Sequence, residues 1–124
     1  MPPVSPGFDL TQMAPAILDG ARVSITVFDL EGRMLYFNQH APQVLDRKPE
    51  YIGRDIQLCH TQPHSTQKFQ KMLETFRAGK RQEFYYTITR NERKLAVKVT
   101  PLIVGGQVVG GVHTAMALAP TPEV

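Results

Sequence analysis

The chain has a single cysteine, Cys59, and no apolar run long enough to cross a bilayer. A lone thiol cannot close an internal disulfide or build an all-cysteine metal site, which agrees with a reducing compartment. Residues 1–7 carry three prolines but neither the basic nor the apolar stretch of a secretory signal. A cytoplasmic location is the resulting expectation. Also missing are a glycine-rich phosphate loop, a Gly-x-Ser-x-Gly turn and a His-Glu-x-x-His helix. Cys59 stands next to His60, but sequence neighbours seldom face each other and no third, orienting residue is evident. The chain is therefore read as a protein without enzymatic activity of its own.

What is present is ordinary globular material. The 124 residues are 42% apolar and 20% charged, enough for one domain with one core. The net charge of +3 hides an asymmetry: Lys68, Lys71, Arg77, Lys80, Arg81, Arg90, Arg93, Lys94 and Lys98 stand against Glu74, Glu83 and Glu92. Such a patch suits an acidic partner or a nucleic acid. No groove-reading helix accompanies it, and lysines and arginines also blunt sheet edges. The expectation is a solvated face with no direct nucleic-acid contact and no membrane contact.

The clearest element begins near Ser65, where Phe69, Met72, Leu73 and Phe76 recur at the spacing of a helix that buries one stripe. Gln67, Lys68, Gln70, Lys71, Glu74 and Arg77 fill the opposite face. Pro63 suits a first turn, Ser65 or a neighbour a cap, and Gly79 the left-handed stop. Ahead of it, residues 1–7 form a flexible lead. Residues 8–20 form a flanking helix with Leu10, Met13, Ile17 and Leu18 at helical spacing, which Pro15 should kink or split. Val23, Ile25 and Val27 alternate with Ser24, Thr26 and Phe28 as a strand. A turn over 29–33 leads to a partner strand over 34–37. Asn38 ends that hairpin and is placed to cap a short helix over 39–45, and 47–52 is polar connection.

Behind the long helix, Phe84, Tyr86 and Ile88 alternate with Tyr85, Thr87 and Thr89, and Leu95, Val97 and Val99 form the return strand. Pro101 should end or bulge it. Gly105-Gly106 is a tight turn into a last strand over 108–116, where Gly110 and Gly111 mark a bend or a close approach by another group. Residues 119–124 form a flexible tail.

Two strands, short helices, one long helix and three strands follow in that order, and with these segments the chain resembles the PAS domain family, the sensor modules of bacterial signalling proteins. The resemblance rests on residues 28–38 (Phe-Asp-Leu-Glu-Gly-Arg-Met-Leu-Tyr-Phe-Asn), Ile52-Gly53-Arg54-Asp55, Phe76-Arg77-Ala78-Gly79, Thr100-Pro101-Leu102 and residues 106–112 (Gly-Gln-Val-Val-Gly-Gly-Val). It spans about Phe8 to Leu118. Cys59-His60-Thr61, with Ser65 behind it, is similar to a subgroup carrying Cys-His-Pro and a serine. The resemblance implies an α+β PAS fold: a five-stranded antiparallel sheet with short helices and one long helix on one face, the domain spanning 21–118. It also implies a pocket between sheet and helices, where the family holds haem, flavin or small metabolites.

Cofactor expectations are carried over position by position. A flavin photoadduct needs a cysteine where Ile56 stands, and the glutamine of such domains falls near Ala115, so flavin is not expected. The axial histidine of haem-binding relatives falls near Lys68, so that ligand is not carried over either. The chain's own candidates for a haem or metal are His113, on the last strand, and the group Cys59, His60 and His64. Against that stands a plainer reading, with His60 and His64 in loop and cap, His113 hydrogen-bonded in the core and Cys59 a small buried hydrophobe. Phe69, Leu73, Tyr86 and Ala115 complete the expected pocket wall.

The sequence reading is thus a PAS-type sensory or interaction domain of a bacterial signal-transduction or transcription-regulatory protein. It would bind a small ligand and signal through a homodimer, a signalling-protein partner or a fused effector domain. The alternative is a ligand-free dimerisation or docking module whose core is filled by Phe69, Phe76 and Tyr86. Ala117-Leu118-Ala119, followed by Pro120 and Pro122, replaces the Asp-Ile-Thr and coiled coil that usually carry the signal onward. Ordinary coupling to a C-terminal effector is then not expected. The chain works alone through its surface, is a fragment whose output domain was cut away, or signals through the N-terminal helix. That helix is the first candidate for the dimer contact and the open sheet face the second.

Overall fold

The computed structural model describes residues 3–56 and 63–118, with the side chains of 63–65 outside the described part. Three α-helices, α1 (Leu10–Gly20), α2 (Ala41–Val44) and α3 (Pro63–Arg77), accompany five strands: β1 (Ser24–Asp29), β2 (Met34–Phe37), β3 (Phe84–Arg90), β4 (Arg93–Val104) and β5 (Gln107–Ala117). The strands form one antiparallel sheet in the order β2-β1-β5-β4-β3. The last strand therefore lies at the centre, between the two hairpins.

α3 is the helix that the apolar spacing predicts. Phe69, Met72, Leu73 and Phe76 are all buried against the sheet. The helix starts two residues before Ser65, because Pro63 already has the backbone angle of a first helical residue, so Ser65 lies inside the first turn rather than capping it. Its end is a Schellman motif: Gly79 at φ 78° donates to the Phe76 carbonyl and Lys80 to that of Thr75.

Three expectations are corrected by the chain around α3. Pro15 does not split α1, which runs on to Gly20; a proline removes one amide donor, and on an exposed helix water can hydrate the carbonyl that loses it. Asn38 does not cap α2, whose N-cap is His40 with no side-chain bond. It is instead a buried clasp: its Oδ1 accepts from the Ile25 amide at 3.0 Å, and its Nδ2 donates to the Leu18 carbonyl at 2.7 Å and the Val23 carbonyl at 2.8 Å. Pro101 does not end β4. β3 stops opposite Val99, so beyond it β4 is an edge where a missing amide costs no ladder bond, and the bulge falls later, between Leu102 and Ile103.

The core lies between the sheet and α2 and α3. At its centre Phe28 meets Phe69 edge-on at 5.0 Å between ring centroids, with Phe76 at 6.3 Å, and Phe76 meets Phe84 at 5.9 Å. Gly111 faces Phe28 across the β1–β5 ladder, and a Cβ added there would run into the Phe28 ring. At Gly110 it would strike the Phe28 carbonyl oxygen. The close approach marked by the two glycines is thus made by this core phenylalanine. The 49–56 segment joins the core by backbone bonds along β2, Gly53 to Met34, Met34 to Arg54 and Ile56 to Gly32, which set Ile56 inside.

Candidate ligand site on the inner sheet face

Strand pairing determines which side chains share the face beneath the helices. One cross-strand row is Ser24, Ala115, Val97 and Tyr86; the next is Thr26, His113, Val99 and Phe84. Residues directly opposite on a ladder point to the same side. The valine and isoleucine positions of β1 are only half-buried, while Ser24, Thr26 and Phe28 on its other side are fully buried. The inner face at β1 is therefore polar at two of three positions.

Arg47 completes that polarity. It belongs to a segment that reads as polar connection, yet only 7% of it is exposed. Its Nε donates to Thr26 Oγ1 at 2.9 Å, and its Nη1 donates to the Asp46 carbonyl at 3.1 Å. Those two bonds fix the plane of a guanidinium inside the domain, and burying such a charge costs several kcal/mol unless it is compensated. No periodicity signals this residue. Its only trace in the sequence is position, directly after the buried Val44 and Leu45 of the short helix.

Tyr86, on the same face, is covered from α3. Burial raises its phenol above the ordinary tyrosine value, with the nearby Arg47 charge pulling the other way. The Lys68 ammonium lies over the Tyr86 ring, 4.1 Å from its centroid. Lys68, assigned to the solvated face of the helix, is thus turned to the sheet. The rest of the basic set is also partly structural. Arg77 donates to the Leu30 carbonyl at 2.7 Å, Arg81 to the Gly106 carbonyl at 2.8 Å, and Lys98 pairs with Glu83 and covers the Tyr85 ring.

The sequence candidates separate as follows. Phe69, Leu73 and Ala115 are buried in the core cluster and Tyr86 packs against it. His113 lies on the inner face opposite Thr26 and Val99, with its Nδ1 buried. Cys59 and His60 lie outside the described residues. His64 falls in the first turn of α3 with its side chain outside them. Among the described residues no group of three or more His, Cys, Asp or Glu side chains is placed to hold a metal ion. Nor does the described inner face fit a haem: the rings of Phe28, Phe69 and Phe76 pack against one another on the sheet beneath α3.

A five-stranded antiparallel sheet with helices on one face is the architecture expected from the resemblance, and the model of the PAS domain family matches residues 15–117. The chain belongs to the PAS domain family. Among solved structures this PAS domain is similar to a C-terminal domain from Streptococcus mutans, with 23% identity and a TM-score of 0.74 over 94% of this chain and 90% of that one. The PAS domain of BvgS from Bordetella pertussis matches with 19% identity and a TM-score of 0.69 over 92% and 90% of the two chains. A PAS domain from Colwellia psychrerythraea matches with 17% identity and a TM-score of 0.67 over 89% and 98%. At these identities the likeness shows the fold. A search of the curated proteins returns no match. No helix among the described residues is long and apolar enough to cross a membrane.

Proposed function

We propose that this PAS domain is the sensory module of a bacterial signalling or transcription-regulatory protein, and that it binds a small ligand between the inner sheet face and the helices. One observation carries the reading. A core built only for stability would place apolar side chains at every inner position of β1, as β4 does with Leu95, Val97 and Val99, whereas β1 places Ser24 and Thr26 beside Phe28 and Thr26 is bound by the buried Arg47. Buried polar groups clustered on one wall of a mostly apolar interior are the usual makeup of a ligand site. The sensory unit would span 21–118, with 8–20 as its flanking helix. The domain would work by binding alone, ligand occupancy shifting populations of two arrangements of helix against sheet. Native mass spectrometry and an absorption spectrum of protein purified from cells test this. An added mass is expected that is lost on denaturation, and an apo mass unchanged after incubation with a cell metabolite extract would overturn it.

A second reading, a docking or dimerisation module, is favoured by α1. None of its residues is buried, and Leu10, Met13 and Ile17 are each 38–47% exposed on one stripe. A second copy of the chain, or a signalling partner, would cover that stripe. The two readings are compatible, since the clasp at Asn38 joins α1 to the strand that carries Thr26.

A further inference from the structure

We propose that the outer edge of β3 is a docking site for an extended segment of a partner protein, which adds as a further strand and alternates acidic with apolar residues. The proposal does not depend on the inner face holding a ligand. The two edges of the sheet are treated differently. β2 is covered by the chain itself, with bridges from Arg33 to Asp55 and from Met34 to Ile52. β3 has no second neighbour among the described residues. It reads Phe-Tyr-Tyr-Thr-Ile-Thr-Arg, pairs with β4 in unbroken register, and contains no lysine, no proline and no bulge. Those are the usual devices that blunt an edge, and an aromatic and β-branched strand without them invites pairing. The basic residues expected to blunt it lie elsewhere: Arg93, Lys94 and Lys98 are on β4, one strand in, and only Arg90 stands on β3, at its end.

The turn fixes which backbone groups face outward. Asn91 and Glu92, both at positive φ, make a two-residue turn that closes on Arg90 opposite Arg93. Counting back in twos, Ile88, Tyr86 and Phe84 direct their N–H and C=O to β4, whereas Thr89, Thr87 and Tyr85 direct theirs away from it. A row of donors and acceptors thus stands ready for an antiparallel strand. Its residues opposite Tyr85, Thr87 and Thr89 would share the open face with those exposed side chains, and with Lys94 and Lys98 behind them. Lys98 already pairs with Glu83, but Arg90, Arg93 and Lys94 at the turn end have no ion pair among the described residues and only Glu92 beside them. Acidic side chains complement that charge. The alternate residues fall beside the half-buried Phe84, Tyr86 and Ile88, where apolar side chains fit.

The test uses the full chain, isotope-labelled, with the synthetic peptide acetyl-Glu-Val-Glu-Val-Glu-Val-Glu-amide as the probe. Without peptide, the amides of Tyr85, Thr87 and Thr89 should exchange with solvent faster than those of Phe84, Tyr86 and Ile88, and saturation should slow them roughly tenfold or more. N-methylating the glutamate amides of the peptide should abolish binding and N-methylating its valine amides should leave it intact, because only the former face β3 in an antiparallel pair. The counterpart with glutamine in place of glutamate should bind at least about threefold more weakly, and so should the original peptide to Lys94→Glu. Thr87→Pro removes an outward donor and no ladder bond, so it should keep the native far-ultraviolet spectrum and lose the peptide. Lys94→Glu alters an exposed side chain, so the proposal does not depend on Thr87→Pro folding. Binding that survives N-methylation of the glutamates, or that shifts resonances only away from β3, would overturn the edge as the site. A glutamine peptide that binds as tightly would overturn the acidic partner. Protection at Thr87 that grows with protein concentration in the absence of peptide would assign the edge to a second copy of the chain and overturn the proposal, as would a peptide that shifts no resonance.

Discussion

Phe28 occupies space that the last strand leaves open by carrying glycine at 110 and 111, so those two positions couple the core to the central strand. Gly111→Ala should destabilise by about 1–3 kcal/mol, because the Phe28 ring is held by Phe69 and Phe76 and cannot move aside. Gly110→Ala should cost more, since its methyl meets backbone. Urea unfolding measures both, and an unchanged midpoint for Gly111→Ala would mean that the ring is loosely seated. Tyr86 gives a pH dependence. Its folded pKa is raised above the ordinary value of about 10, so the stabilisation is complete below pH 10 and is lost as pH rises through the folded value. The melting temperature of the wild type should therefore fall above pH 10 more steeply than that of Tyr86→Phe. Arg47→Gln should push the Tyr86 titration further upward, as it removes the charge that opposes the shift. A difference titration against Tyr86→Phe in the ultraviolet reads that directly.

At the scale of elements, two segments stand out for what their residues do not satisfy. α1 exposes Leu10, Met13 and Ile17, and on the docking reading, in which a second copy covers them, Met13→Glu should yield a monomer; an unchanged sedimentation coefficient would remove α1 from the contact. The β3–β4 turn places Asn91 at φ 51° and Glu92 at φ 64°, and a glutamate tolerates the left-handed region poorly. Glu92→Gly should raise stability by about 0.5–1 kcal/mol in the same urea assay. These elements also mark how far the sequence reading reached. α3 was legible because four apolar residues repeat at a single period, and β4 because Leu95, Val97 and Val99 alternate without interruption. β1 was ambiguous: both of its faces alternate, and the face with serine and threonine is the buried one because Phe28 shares it. Arg47 and Lys68 were not legible as inner-face residues, since each sits in a polar run and is turned inward only by a tertiary contact, with Thr26 in one case and Tyr86 in the other. The position of Asn38 at a hairpin end marks a side chain able to bond backbone but does not show its three partners.

For the molecule as a whole, the question is how an event on the inner face would reach a surface. β1 carries Ser24 and Thr26 inward, pairs with both β2 and β5, and is joined to α1 by the Asn38 clasp and by Asp19, which accepts from the Gln39 amide at 2.9 Å. Among the named elements no pairing with α1 is extensive, so the clasp is the principal tie between that helix and the sheet. A population shift needs a bistable element with different contacts in its two states, and a short helix held at one end fits that requirement. Asn38→Ala would leave the Ile25 amide and the Leu18 and Val23 carbonyls without their partner, at a cost of about 2–3 kcal/mol, and would free the C-terminal end of α1. In the wild type, saturation with a cell metabolite extract should change hydrogen-exchange protection in α1 as well as in β1. In Asn38→Ala the β1 response should persist while the α1 response is lost. If the extract protects β1 but leaves α1 unchanged in the wild type, the helix does not report occupancy, and the outward route has to be sought on the open face of the sheet around Tyr85, Val109 and Met116.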